Sequence, residues 1–367
     1  MIPRNKRSAK SKVVVGMSGG VDSSVAAAIL KRDGYDVMGV SVRTWPKEEC
    51  GASSGRACCN LEAVTRARAV AEGLGIPYYV VDFSADFKKE VIDYFCAEYL
   101  KGHTPNPCVV CNEKIKFGKL LEKAGSLGAQ KIATGHFAGV SFDKRRGRYL
   151  LKEGKDKAKD QSYFLFSLSQ EQLKHCLFPL SGLTKEDVRR KAKSFGLRTH
   201  DTPSSQDVCF INDLNYAEYI KKKTGMEIRP GEITDSSGNI LGRHKGVIFY
   251  TIGQRRGLGI ARGEPLYVTA IDIATNRIVV GNKKDVLKIS LVAEKINWIS
   301  VKDITKPIKV AAKIRYAHKK AKATVTKTGE GVVRVDFDEP QEAPTPGQAV
   351  VFYDCEMVVG GGWIKVA

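Results

Sequence analysis

The chain opens on an alternation of two hydrophobic patterns. Residues 12–17 (KVVVGM), 35–42 (YDVMGVSV), 78–83 (YYVVDF) and 131–134 (KIAT) are short runs rich in apolar and β-branched side chains, and each predicts a strand. Between them lie stretches of good helix formers. Residues 23–32 (SSVAAAILKR) predict a helix closed by Gly34. Residues 61–74 predict a second, closed by Gly75-Ile76-Pro77, and residues 87–100 and 112–127 predict two more. Strands that are apolar at consecutive positions must be covered on both faces. Strand–helix alternation of this kind therefore predicts an α/β domain built on a parallel sheet.

Past residue 200 the helical periodicity fades. Residues 242–263 (GRHKGVIFYTIGQRRGLGIARG) are dense in Gly and Arg. From 291 to the C-terminus, alternating segments at 308–316, 321–326, 331–337, 349–352 and 357–359 are separated by Gly and Pro turns. Short alternating strands so punctuated predict a small barrel. The expected layout is a sheet domain over 1–205, a small β-rich central domain over 206–287 and a C-terminal β-barrel over 288–367. A chain of 367 residues accommodates these domains, at about 100–200 residues each.

Charge and cysteine content add chemistry to this frame. Sixty Lys and Arg against forty Asp and Glu leave a formal net charge of +20, which points to a polyanionic partner. With 43% hydrophobic residues the chain is too apolar for a disordered protein. No apolar run approaches the roughly 18 residues that span a membrane. The opening MIPRNKRSAKSK is basic without the apolar core of a secretory signal. Nine cysteines in a chain of this length are an odd and sparse set, as expected of reduced thiols in the cytoplasm rather than a disulfide scaffold. Cys58, Cys59, Cys96, Cys176 and Cys355 read as small buried hydrophobes.

The segment Gly16-Met17-Ser18-Gly19-Gly20-Val21-Asp22-Ser23-Ser24 sits between the first expected strand and the first expected helix. Adjacent glycines let backbone N–H groups fold around an anion, and the helix that follows adds its positive end. Ser18, Ser23 and Ser24 add donors, and Asp22 can hold Mg2+ beside phosphates. No Lys closes the loop as in GxxxxGK[ST], and GxGxxG is absent, so a dinucleotide is not expected.

Two segments place thiols in polar surroundings. In Thr104-Pro105-Asn106-Pro107-Cys108-Val109-Val110-Cys111-Asn112 a rigid proline turn leads into a helix, where the helix start and the nearby Lys114 and Lys116 favour thiolates. In Ser204-Ser205-Gln206-Asp207-Val208-Cys209-Phe210 a third thiol lies in a loop, 98 residues beyond Cys111. Residues 185–193 carry Lys185, Arg189, Arg190, Lys191 and Lys193 at mixed spacing, either a solvated helix face or a phosphate contact.

SGGVDSS after a first strand resembles the signature of the PP-loop, or N-type ATP pyrophosphatase, superfamily. Its members cleave ATP between the α and β phosphates and adenylate a substrate oxygen. Gly135-His136, Lys159-Asp160-Gln161-Ser162-Tyr163-Phe164 and Gly253-Gln254-Arg255-Arg256-Gly257-Leu258-Gly259 narrow the match. With them the chain closely resembles the bacterial tRNA-specific 2-thiouridylase family, from Val13 to the closing Gly360-Gly361-Gly362-Trp363.

The resemblance implies an ATP site at Gly16, Met17, Ser18, Gly19, Gly20, Val21, Asp22 and Ser23, with the backbone of Val42 and Gly135. It implies Cys111 as nucleophile and Cys209 as the persulfide carrier. Asn106, Pro107 and Cys108 would meet the target base. Lys159, Asp160, Gln161, Arg315 and Tyr316 would contact tRNA, with His136 and Gln348 as weaker candidates. Tyr316 beside Arg315 joins a stacking surface to a cation, which suits an unstacked base.

The implied reaction adenylates the C2 oxygen of the wobble uridine of tRNAs for Lys, Glu and Gln, then replaces that oxygen with sulfur. A cysteine desulfurase or relay protein would be the donor. The family commonly has Asp where this chain has Cys108. Cys108-x-x-Cys111 with Cys209 offers three soft ligands, so a [4Fe–4S] cluster carrying sulfide stands beside the persulfide relay as a second route. Another PP-loop ligase, and an RNA-binding module that senses nucleotide without catalysis, also remain open.

Overall fold

The computed structural model describes residues 10–45, 61–201, 208–211, 215–261 and 263–366. Residues 1–9 of the basic opening, Cys58, Cys59 and the Ser204–Asp207 part of the third thiol segment lie outside the described residues. The chain divides into two compact units, one of residues 1–88 and 110–210, the other of residues 89–109 and 211–367.

The first unit is built on a five-stranded sheet. Its strands are β1 (Lys10–Gly16), β2 (Tyr35–Arg43), β3 (Tyr78–Asp82), β4 (Lys131–Ala133) and, after the antiparallel hairpin of β5 (Ala138–Asp143) and β6 (Arg148–Glu153), the two-residue β7 (Cys176–Leu177). The order is β3-β2-β1-β4-β7, and every adjacent pair in it is parallel. β1 is central, and Val13, Val14 and Val15 are fully buried. Each such side chain contributes about 1.5–3 kcal/mol over leaving it in water.

Helix α1 (Val21–Arg32) has small or apolar residues all round and is buried from Val21 to Leu30 apart from Asp22. Val188 and Ala192 of the helix Lys185–Ser194 belong to the same core. α2 (Leu61–Leu74) presents Ala63, Ala67, Val70 and Ala71 to the interior. β3 departs from the expectation of full coverage: it is the edge strand, with Tyr79 and Val80 exposed.

The expected helices at 87–100 and 112–127 begin earlier than their periodicity predicts. The first starts at Ser84 and passes through a π-helical turn, Lys88–Asp93, before Tyr94–Leu100. The second starts at Pro107, runs through a π-helix at Cys111–Lys119 and ends in Leu120–Ser126. Their true starts carry polar residues and prolines, which weaken the apolar pattern.

The second unit holds two β-structures. A four-stranded sheet contains β8 (Gly231–Thr234), β9 (Ile240–His244), β10 (Tyr267–Asp272) and β11 (Arg277–Gly281), ordered β10-β11-β8-β9. Its core is Ile233, Tyr250, Leu258, Val268, Ile278 and Val280. Beyond it come β12 (Leu287–Trp298), β13 (Ile308–Lys313), β14 (Ala321–Gly329), β15 (Val332–Glu342), β16 (Ala349–Asp354) and β17 (Met357–Val366). They form an antiparallel barrel in the order β12-β15-β14-β13-β16-β17, closed by pairing of β17 with β12.

Sequence reading stopped the last strand at 359, before the glycine run. The strand continues because those glycines are what the closure needs: a Cβ on Gly360 would lie 2.6 Å from the Asn297 carbonyl oxygen on β12. Among the described residues no helix is long and apolar enough to cross a membrane.

Candidate active site

In an open parallel sheet, ligands bind outside the carboxyl ends of the strands where the strand order reverses direction. Here that point lies between β1, followed in the sheet by β2 and β3 on one side, and β4 on the other. The loop after β1 and the loop after β4 meet there. A Cβ on Gly135, just past β4, would stand 2.7 Å from the backbone of both Asp22 and Ser23. Only glycine lets the two loops approach so closely.

The loop after β1 is tied down on its protein side. The Met17 amide donates to the Val40 carbonyl at 2.8 Å, and the Ser41 hydroxyl donates to the Met17 carbonyl at 2.5 Å. Tyr78 donates to the Ser41 hydroxyl at 2.7 Å. The Ser23 hydroxyl accepts from the Ser18 amide at 3.2 Å and lies 3.1 Å from the Gly20 carbonyl, to which Ser24 also donates at 2.8 Å. Gly19 adopts φ +73°, a turn that favours glycine. Ser18 is exposed at the tip. Gly20 caps α1 without a side-chain bond, so the first-turn N–H groups face outward as anion donors. Val42, near the end of β2, is half-buried.

Asp22 meets a cation that sequence reading placed on a solvated or phosphate-binding face. Lys185 Nζ lies 2.6 and 2.7 Å from the two Asp22 carboxylate oxygens, with only 15% of the Lys185 side chain exposed. Thr184 caps the helix that carries Lys185 in a reciprocal box with Asp187, and the Lys185 amide donates to Asp156 at 2.9 Å. The pair spans 163 positions, so no local pattern announces it. The carboxylate and the serine hydroxyls form a hard oxygen donor set that fits Mg2+ carried by phosphates.

Cys111 and Cys209 belong to the same unit, and both are partly exposed. Cys111 opens the π-helical stretch, an irregularity often found at functional sites. The stretch is anchored from outside. Asn112, 1% exposed, donates from Nδ2 to the Phe164 carbonyl at 3.0 Å. Gln172 Nε2 donates to the Glu113 and Phe117 carbonyls at 2.8 and 3.0 Å. Asn112 Oδ1 is buried and has no hydrogen-bond partner among the described residues. Phe210, next to Cys209, is buried edge-on against Phe87.

Several expected tRNA contacts prove to be structurally engaged. Asp160 is 4% exposed; its carboxylate accepts from the Gly154 amide and from the amide and hydroxyl of Ser162, and burial pushes its pKa up. Gln161 accepts from the Phe137 amide at 3.1 Å, whereas Lys159 is exposed. His136 is buried between the Phe117 and Phe178 rings with Nδ1 2.7 Å from the Thr134 hydroxyl. Burial, helped by Lys116, pushes its pKa well below the ordinary value and keeps it neutral.

In the second unit Asn106 is buried and its Oδ1 accepts from the Val109 amide at 3.4 Å, while Cys108, after Pro107, is exposed. Arg315 donates to the Ala343 carbonyl and the Thr345 hydroxyl, and Lys313 lies over the exposed Tyr316 ring. Gln348 donates to the Thr104 carbonyl. Among the described residues no group of three His, Cys, Asp or Glu side chains is placed to hold a metal ion. The donor set for an iron–sulfur cluster is thus not assembled among them.

A parallel sheet with a Gly-Ser anion loop at its point of reversal defines the PP-loop class of nucleotide-using domains. Family models match in three consecutive blocks: the tRNA methyl transferase HUP domain over residues 11–213, the tRNA methyl transferase PRC-barrel domain over 217–282 and the aminomethyltransferase beta-barrel domain over 288–364. The tRNA-specific 2-thiouridylase MnmA of Acetivibrio thermocellus is 52% identical, with 97% of this chain and 99% of that protein aligned. Its counterparts in Clostridioides difficile and Clostridium perfringens are each 49% identical over 96% and 97% of this chain. The chain belongs to the tRNA-specific 2-thiouridylase family.

Proposed function

We propose that this chain is an ATP-dependent tRNA sulfurtransferase that makes 2-thiouridine at the wobble position of tRNAs for Lys, Glu and Gln. The observation that carries the reading is the anion cradle at the sheet's point of reversal, in one unit with two partly exposed cysteines, Cys111 and Cys209.

The loop Gly16–Ser23 binds the phosphates of ATP, with Val42 and Gly135 beside the nucleotide. Lys185 leaves Asp22 and takes up phosphate charge. Asp22 and the serine hydroxyls would hold Mg2+, which would supply positive charge to a pyrophosphate leaving group. Uridine O2 attacks the α-phosphorus, pyrophosphate leaves and the N3 proton is lost. The terminal sulfur of a persulfide on Cys209 adds to C2, and AMP departs with O2. The Cys111 thiolate then attacks the Cys209 sulfur. The S–S bond between Cys209 and the transferred sulfur breaks, its electron pair stays on the sulfur held by C2, N3 regains a proton to give 2-thiouridine, and a Cys111–Cys209 disulfide remains. In a variant order, Cys111 attacks first and frees hydrosulfide, which adds to C2. Either way the sulfane sulfur is reduced, the two thiols are oxidised, and an external thiol restores them. A cysteine desulfurase or relay protein reloads Cys209 in the cytoplasm.

Asn106, Pro107 and Cys108 face the target base, and Lys159, Arg315 and Tyr316 contact tRNA. The test is nucleoside analysis of tRNA treated with Cys209→Ser. No thiouridine should form, while tRNA affinity stays within about twofold, because a single thiol outside the phosphate contacts adds little binding. Wild-type thiouridine yield from that variant would overturn the reading.

A further inference from the structure

Within the second unit, the loop between β15 and β16 grips the proline turn that precedes Cys108. Gln348 Nε2 donates to the Thr104 carbonyl at 2.8 Å and stands 3.4 Å from the Pro105 carbonyl. The Thr104 amide donates to the Pro346 carbonyl at 2.8 Å. Gly347 lies between these two bonds at φ +86°, and a Cβ there would stand 2.9 Å from the His103 Cβ. The gripping loop is itself braced. Arg315 on the β13 side donates to the Ala343 carbonyl and, at 2.9 Å, to the Thr345 hydroxyl, which donates on to the Ala343 carbonyl at 2.9 Å. The Thr104 hydroxyl also reaches the Thr251 hydroxyl, in the connection between β9 and β10, at 3.5 Å.

We infer that Gln348 is a positioning residue for sulfur transfer: its amide fixes the Thr104-Pro105 backbone, and so the Asn106-Pro107-Cys108 segment that follows, with Arg315 and Thr345 as its brace. The inference rests on the reading of that segment as the one that meets the target base. Thr104 and Pro105 offer carbonyls, and proline has no amide to donate, so an amide NH2 is the complementary group. A turn of this kind has few internal hydrogen bonds of its own. Without the grip its backbone samples several arrangements, and small displacements near reacting atoms are costly to rate. A residue that only bound RNA phosphate would have no use for two carbonyls as partners.

The experiment uses the full chain with Gln348→Ala and, separately, Thr345→Val, which removes the braced hydroxyl at nearly constant shape. Three quantities are read: tRNA dissociation constant, single-turnover thiolation at saturating ATP and tRNA, and amide hydrogen exchange. With wild type thiolating in the same assay, Gln348→Ala should lower the single-turnover rate about tenfold or more. The dissociation constant should stay within about twofold, and exchange should rise in residues 103–109 while β12–β17 stay protected. Thr345→Val should show the same pattern, weaker. A weakened tRNA affinity with an unchanged rate at saturation would make Gln348 an RNA contact and overturn the inference. So would unchanged exchange at 103–109, whatever the rate. Failure of wild type to thiolate would instead overturn the functional reading.

Discussion

At the scale of single residues, Lys185 and Asp22 carry the sharpest consequence. A carboxylate at the head of α1 would otherwise sit partly buried beside backbone donors, and the ammonium of Lys185 neutralises it with two short contacts. When a polyphosphate enters, the same ammonium has a stronger anion to meet. Lys185→Met should therefore weaken ATP binding about tenfold or more, in line with a charge-assisted contact worth roughly 1.5–3 kcal/mol. Titration of a fluorescent ATP analogue reads this directly, and an unchanged dissociation constant would refute the role. Without nucleotide, the thermal stabilities of Lys185→Met, Asp22→Asn and the double variant form a cycle whose coupling energy reports the pair. Lys185 was visible in the sequence only as one basic residue among several. The sequence nevertheless marked the neighbouring Asp22 and Gly135, because their roles depend on residue type within a local motif or immediately after a strand.

At the scale of elements, the helical stretch that begins at Pro107 is irregular from Cys111 onward. A π-helix leaves its carbonyls less well paired than an α-helix. Gln172, itself within the capping box that starts the helix Gln170–His175, supplies donors to two of them while its Oε1 accepts from the Ser169 amide. Gln172→Ala should cost about 1–3 kcal/mol of stability, since it strands buried carbonyls. Amide exchange should quicken across Cys111–Lys119, and cysteine alkylation at Cys111 should quicken with it. Equal exchange in the variant and wild type would show that the π-helix holds without this clamp. The periodicity of residues 112–127 announced a helix, but the winding of its first turns could not be read from it. Carbonyls that are satisfied from 55 and 59 positions away leave no local trace.

At the scale of the whole molecule, the excess of twenty positive charges sets a long-range field for a polyanion. Affinity for tRNA should fall at least about tenfold between roughly 50 and 200 mM salt, because each neutralised phosphate releases counterions on binding. A filter-binding series at several salt concentrations measures the slope, and a flat response would contradict a phosphate-led interface. The two-unit division adds something the linear order concealed. Residues 89–109, which lead into Cys111 in the chain, belong to the unit of the C-terminal β-structures, and there Tyr99 stacks on Tyr216, the first residue of the helix Tyr216–Thr224, at 4.8 Å.

Short-range physics explains what could be known before any coordinates. Apolar β-branched runs, helix formers between them, and glycines at a strand-to-helix turn determine the parallel sheet, its anion loop and the barrel, because each depends on neighbours a few positions apart. The thiols at 111 and 209 stood out by their polar local surroundings, while their roles were implied only by the family resemblance. Other features needed the folded chain: the engagement of Asp22 by Lys185, the burial that makes Asp160 and His136 internal supports, and the grip of Gln348 on Thr104 and Pro105. Each of these except the local bonds around Asp160 and His136 joins groups far apart in the chain, and burial itself is a property of the packed whole. Only the closing of the sheet and the barrel brings such groups within a hydrogen bond's length.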